Sequence, residues 1–338
     1  MKLPKLSSKQ DVRLGLALQG GGAYGAYAKG VLKALFNSEA FRQNKKLKIN
    51  AVTGTSAGAV NGAITTYGLN SGGYDEAIRI LDSFWSEIEG NGRAIKMLSL
   101  TDQFNFFTRN VAYPNLPFYL EKAMGMMPAG SIPKNLQDQV ERHMPDWDKH
   151  MHSGPVKLFV NAVLEDEKSK ERSHIVFKGK ELTPASIAAS GALEELGGHM
   201  IDGKKFYDGA YWRNPCTTDI RGEGITDLLI VTLQKKPDSG VKPEHQDEAR
   251  KRHEKPGHKV LTEEIHNHIA YMQKQYPHIN LHVISLEVDP AWDDTSRMNI
   301  DPRWLHDLED MGKRDAEKWL ADHADKLGKK SSYGPAAP

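Results

Sequence analysis

The chain has 338 residues, 39% of them hydrophobic and 26% charged, which is the composition of a folded globular protein rather than a disordered or fibrous one. Its 45 lysines and arginines against 44 aspartates and glutamates leave a net charge of +1, so bulk electrostatic binding of nucleic acid has no support. A single cysteine, Cys216, excludes an intrachain disulfide framework and a cysteine-rich zinc site, and no apolar stretch approaches the ~20 residues of a membrane-spanning helix. Behind Lys2, Lys5 and Lys9 the apolar run at 14–18 is too short for a secretory signal. A cytoplasmic protein is therefore expected, with contact at a membrane surface left open.

Residues 1–11 are polar, and residues 12–18 form a short apolar run stopped by glycines, the pattern of a buried strand. Residues 24–35 follow with Tyr24, Ala28, Val31, Leu32 and Leu35 at helical spacing. A second strand is predicted at 48–53, and a second amphipathic helix at 57–67, where Val60, Ala63, Ile64 and Tyr67 share a stripe. This alternation predicts a parallel sheet covered by helices. Another helix is expected over 77–88. Residues 104–127 break the pattern: Phe104, Phe106, Phe107, Tyr113, Phe118 and Tyr119 lie among prolines and glycines and lead into Met124, Met126 and Met127. Adaptable apolar surface suits the wall or lid of an acyl-binding cleft, and suits an irregular core segment equally.

Further on, 156–164 and 174–177 read as a strand pair turning near 165–170, 184–189 as a short helix, and 228–233 and 281–286 as buried strands. The charged stretch 235–259 is expected to be an exposed insertion, and the lysine-bearing segments 45–48 and 251–259 read as solvated faces. Residues 304–320 close the fold as an amphipathic helix through Leu305, Leu308, Ala316 and Trp319. With no internal repeat or linker, one α/β domain is expected over 12–325, with 1–11 and 328–338 as flexible tails.

Chemistry concentrates at three points. Gly20, Gly21, Gly22 and Gly25, in GGGAYG, lie between the first strand and the first helix. Glycines there let the main chain approach a ligand closely, and free N–H groups at a helix start attract an anion. Two readings compete: a dinucleotide site, because Gly20, Gly22 and Gly25 satisfy G-x-G-x-x-G, and an oxyanion hole for acyl transfer. The dinucleotide reading needs an acid at the end of the second strand, which finishes instead in Thr53-Gly54-Thr55-Ser56. No Gly-Lys-Ser/Thr follows the glycines, so a Walker loop also fails.

The second point is Gly54-Thr55-Ser56-Ala57-Gly58, a G-x-S-x-G between strand and helix, which is the context of a nucleophile elbow. A serine there also serves as a plain helix cap. The third is Asp208-Gly209-Ala210, with Asn214-Pro215 shortly after. Asp-Gly is a common turn, but a glycine loop, a serine elbow and a later carboxylate together supply oxyanion donors, nucleophile and base. A histidine base is disfavoured, because an α/β-hydrolase places several strands before its elbow and this chain has one. His282 reads as a buried core histidine.

The three blocks in this order resemble the patatin-like phospholipases, whose hallmarks are a glycine-rich block, G-x-S-x-G and D-G-[GA]. LALQGGGAYGAYAKGVLKAL is close to the bacterial members, and the resemblance runs over 14–215. It implies a single three-layer α/β domain with a mostly parallel central sheet flanked by helices. It also implies Ser56 as nucleophile, Asp208 as the other half of a Ser–Asp dyad, and the amides of Gly20, Gly21 and Gly22 as oxyanion hole. Gly25, Gly54, Gly58 and Gly209 would support these motifs. The implied reaction cleaves ester bonds of phospholipids or related acyl lipids without metal or organic cofactor; the implied partner is an acyl lipid, not nucleic acid. Two departures bear on substrate choice: Tyr24 stands where many members carry arginine, and Leu193, after Ala188-Ala189-Ser190-Gly191-Ala192, where a proline is usual. A non-catalytic lipid-binding module and a dinucleotide-binding oxidoreductase are the alternatives.

Overall fold

A computed structural model describes residues 11–100, 131–217, 219–233, 263–287 and 294–333. β1 (Val12–Leu18) is apolar on both faces and exposes only Arg13, so it belongs at the centre of a sheet covered on both sides. β2 (Leu47–Gly54) and β7 (Asp227–Thr232) flank it in parallel. β3 (Lys157–Glu165) continues in parallel from β2, and β8 (Asn280–Ser285) from β7. Beyond β3 the sheet turns antiparallel: β4 (Arg172–Lys178) and β6 (Lys204–Asp208) both pair with β3, and β5 (His199–Ile201) pairs with β6. The eight strands run in the order β5-β6-β3-β2-β1-β7-β8, with β4 also on β3.

The helices are α1 (Gly25–Asn37), α2 (Glu39–Arg42), α3 (Ala57–Ser71), α4 (Tyr74–Leu100), α5 (Ser131–His143), α6 (Trp147–Met151), α7 (Pro184–Ser190), α8 (Glu263–Gln275) and α9 (Pro302–His323). Alternation sends Leu14, Leu16 and Leu18 into one core with Val31 and Leu35 of α1, Ile64 of α3, Leu81 of α4 and Leu308 of α9. Ala17 turns to the other core with Phe159, Leu228 and Ile230 of the sheet and Ile269 and Met272 of α8. The result is the α/β architecture with a mostly parallel sheet between helical layers that the sequence predicts.

The predicted strands and helices that fall on described residues form, most of them shifted by one to three residues at their ends. The helix expected over 77–88 is longer, running Tyr74–Leu100. The β5–β6 hairpin over 199–208 and the helices α5, α6 and α8 are elements that the hydrophobic pattern does not predict. The tail is not loose where it is described. Gly328 donates its amide to Asp227 Oδ1 at 2.8 Å, and the amides of Ser332 and Tyr333 reach Leu281 O at 3.0 and 3.1 Å. The aromatic stretch 104–127 and the charged stretch 235–259 lie outside the described residues. Among the described residues no helix is long and apolar enough to cross a membrane.

Candidate active site

Three chain segments end at the same point. The first is the turn from β2 into α3. A Cβ on Gly54 would strike Gly58 O, and one on Gly58 would strike Leu18 O, so the turn is too tight for a side chain at either glycine flanking Thr55-Ser56-Ala57. Ser56 itself has φ 54° and ψ −125°, a left-handed strained conformation of the kind that costs about 1–3 kcal/mol. Although it precedes α3, its hydroxyl makes no cap to the helix, which excludes the helix-cap reading. The hydroxyl stands instead near enough to the carboxylate of Asp208 to hold that group's pKa down. The Ser56 amide donates to Ser190 Oγ at 3.0 Å, fixing the elbow to the end of α7.

The second segment is the end of β6. Asp208 is paired with Ala162 of β3, is 3% exposed, and accepts the Ala210 amide on Oδ1 at 2.8 Å. Burial raises its pKa; the Ala210 amide and the Ser56 hydroxyl oppose this, Glu195 adds to it, and the carboxyl is pushed up to about 6. A carboxylate with that pKa takes a proton readily at neutral pH, which an ordinary aspartate does not.

The third segment is the glycine loop. It packs so closely on the elbow that a Cβ on Gly20 would fall on Thr55 O and lie 2.7 Å from Ser56 Cβ. Gly25 faces Trp85 and Ala57 with the same lack of room, and Gly209 faces Asn161. The three glycine amides are not equivalent. Gly20 donates to Asn214 Oδ1 at 2.6 Å while its carbonyl accepts Asn214 Nδ2 at 2.9 Å, so this amide is spent within the protein. Of the three amides expected as oxyanion donors at Gly20, Gly21 and Gly22, the first is thus already engaged. Gly21 is partly exposed and Gly22 exposed, and no acceptor among the described residues takes either amide.

Two buried asparagines bind these segments together. Asn161, on β3, accepts Thr55 Oγ1 at 2.5 Å and donates through Nδ2 to Gly209 O at 3.1 Å and Arg213 O at 2.8 Å. It thereby links the residue before Ser56 to the residue after Asp208. Asn214 does the same between the glycine loop and the Asp208 turn. Neither was assigned a role from sequence, because each works across segments far apart in the chain. Tyr24, in place of the arginine many family members carry, is buried: its hydroxyl pairs with Ser296 Oγ at 2.6 Å, and its ring meets the Trp304 edge and, at 5.7 Å, the Arg297 guanidinium. His282 is fully buried at the start of β8, held by Asp227 at 3.0 Å and Ser332 at 2.9 Å, as a core histidine should be. Cys216 is a packed thiol near Asp219.

The model of the patatin-like phospholipase family matches residues 16–235, well over half of the chain. The chain belongs to the patatin-like phospholipase family. Membership makes it a lipid acyl hydrolase by class and removes the dinucleotide reading of the glycine loop. Among solved structures, VipD from Legionella pneumophila is similar at 14% identity and TM-score 0.33, over 91% of this chain and 70% of that one. Full-length ExoU from Pseudomonas aeruginosa, in complex with SpcU, aligns at 14% identity and TM-score 0.33 over 92% of this chain and 53% of its own. Human GIVD cytosolic phospholipase A2, in complex with methyl gamma-linolenyl fluorophosphonate, aligns at 11% identity and TM-score 0.28 over 94% of this chain and 59% of its own. This patatin-like chain thus spans little more than half the length of the last two. No curated protein matches it.

Proposed function

We propose that this protein hydrolyses ester bonds of phospholipids or related acyl lipids through a Ser56–Asp208 dyad, with Gly21 and Gly22 as the oxyanion donors. The observation that carries this reading is the Ser56 hydroxyl set near a buried carboxylate of raised pKa, on an elbow packed directly against the glycine loop. Asp208 accepts the Ser56 proton as Oγ attacks the ester carbonyl, and the carbonyl oxygen, now an anion, is met by the two amides. The ester bond to the alcohol breaks, the alcohol leaves with the proton held on Asp208, and the acyl group stays on Ser56. Water then gives its proton to Asp208 and attacks the acyl-enzyme; the carboxylic acid departs and the proton returns to Ser56 Oγ. Asp208 serves as base in each half, which a pKa near neutrality permits. A cytoplasmic enzyme that meets its lipid at a membrane surface is the setting this reading carries forward.

The test is hydrolysis across a panel of phospholipids and simple esters by wild type, Ser56→Ala and Asp208→Asn, each checked for folding. Activity in wild type and its loss by about 10²-fold or more in both variants is expected. A folded Ser56→Ala that keeps wild-type activity overturns the dyad. A folded wild type that binds lipid vesicles and cleaves nothing is the lipid-binding module instead.

A further inference from the structure

α7 ends against the nucleophile, and its last residues have no part in the chemistry described so far. A capping box between Thr183 and Ser186 fixes its start. At its end Ser190, wholly buried, takes the Ser56 amide, so elbow and helix end form one rigid unit. Gly191 follows and stands partly exposed beside the reacting hydroxyl. A methyl group on Gly191 would lie 3.8 Å from Ser56 Oγ, 3.6 Å from Leu136 Cδ2 and 3.9 Å from Ala188 O. These are ordinary van der Waals separations, so a methyl fits there and narrows the space between the nucleophile and Leu136 of α5. The backbone does not demand glycine here. With φ −109° and ψ 12° any residue fits, and what the missing side chain provides is room.

The lining of the gap identifies what enters it. On the proposed reading Gly21 and Gly22 meet the oxygen of an attacked carbonyl and Asp208 takes the proton, which leaves the acyl carbons to be housed. The gap at Gly191 lies between the nucleophile and an aliphatic side chain, Leu136, itself packed on the main core. The first carbons of an acyl group bonded to Ser56 Oγ lie within a few bonds of that oxygen and need such a wall.

We propose that Gly191 and Leu136 set the acyl specificity of the site, admitting the first methylenes of a straight, unbranched acyl chain between them. This inference rests on Ser56 being the nucleophile. Gly191 and Leu136 are specificity-determining, and neither takes part in proton transfer.

The test compares kcat/KM for p-nitrophenyl acetate and p-nitrophenyl laurate in wild type, Gly191→Ala, Gly191→Val and the double variant Gly191→Ala/Leu136→Ala. The laurate-to-acetate ratio should fall about tenfold in Gly191→Ala and further in Gly191→Val, and Leu136→Ala should restore most of it, since a methyl in an apolar slot is worth about 10–200-fold. Should Gly191→Val fail to fold, Gly191→Ala and the double variant carry the test alone. Equal falls on both esters, or an unchanged ratio in Gly191→Ala, overturn the inference while leaving an active wild type and its dyad untouched. A folded wild type that cleaves neither ester and takes up no fluorophosphonate at Ser56 overturns both.

Discussion

Asp208 is enclosed by β6, the Ala210 amide and the Ser56 hydroxyl, and enclosure raises its pKa from 3.8 to about 6. A carboxyl raised in this way contributes stability that is fully present below about pH 4 and is lost as pH rises through about 6. That difference amounts to roughly 3 kcal/mol at neutral pH. Asp208→Asn should therefore be more stable than wild type by about this much above pH 6, and equal to it below about pH 4, in denaturant titrations at several pH values. The acid limb of kcat/KM should rise through about pH 6 in wild type, and Glu195→Gln, which removes a charge that raises Asp208, should move the midpoint to lower pH. Asn214 belongs to the same scale. Without its two bonds to Gly20 the loop that presents Gly21 and Gly22 loses its anchor, and Asn214→Ala should lower kcat by about 10²-fold with KM little changed, as loss of an oxyanion donor does. Ser56 and Asp208 stand out as candidates in the sequence because each sits in a short local motif. Asn161, Asn214 and Ser190 do not, because Thr55 finds Asn161 and Gly20 finds Asn214 only after segments 106 and 194 positions apart are folded together.

At the scale of elements, the central strands β1 and β7 showed through because each is a short apolar run, and burial on both faces leaves no room for alternation. The helices that escaped notice bury too little. α5 hides only Pro133, Gln139 and Val140, so no stripe stands out along SIPKNLQDQVERH. The β5–β6 hairpin carried a signal that was open to reading: Asp202 and Gly203, with φ 49° and 75°, make the two-residue turn that Asp-Gly favours. Helix packing depends on glycines that no period reveals. A Cβ on Gly30 of α1 would strike Glu309 O of α9, and one on Gly312 of α9 would strike Tyr27 O of α1, so the two helices cross backbone to backbone. Lys29 and Lys33 then pair with Glu309 at 2.6 Å across the same crossing. Gly30→Ala should cost about 1–3 kcal/mol in urea denaturation, the range of overpacking, because α1 also carries the glycine loop and is not free to shift.

Across the whole molecule, the chain closes on itself at the edge of the sheet away from the site. Asp227 opens β7, His282 lies in β8, and Ser332 from the tail completes the row. Burial raises Asp227, but His282, the Gly328 amide and Thr226 outweigh it and hold the carboxyl below its ordinary value of 3.8. Its sign is opposite to that of Asp208: the stability it contributes is present above about pH 4 and is lost as pH falls through its lower folded pKa. Truncation after Leu327 should lower the unfolding free energy by about 1–3 kcal/mol at neutral pH, the cost of a buried acceptor losing its partners. It should leave reaction at Ser56 intact, because the bonds it removes lie at the start of β7 and β8, while the glycine loop meets the far end of β7 at Val231 and Leu233.

The most direct test of the dyad is the rate at which a small alkyl fluorophosphonate modifies wild type and Asp208→Asn as a function of pH, with the modified residue found by peptide mass spectrometry. The adduct should sit on Ser56, form faster as pH rises through about 6, and form at least about 10²-fold more slowly without the carboxylate. An adduct on another residue, or one that forms on Ser56 at the same rate in both proteins, contradicts the account.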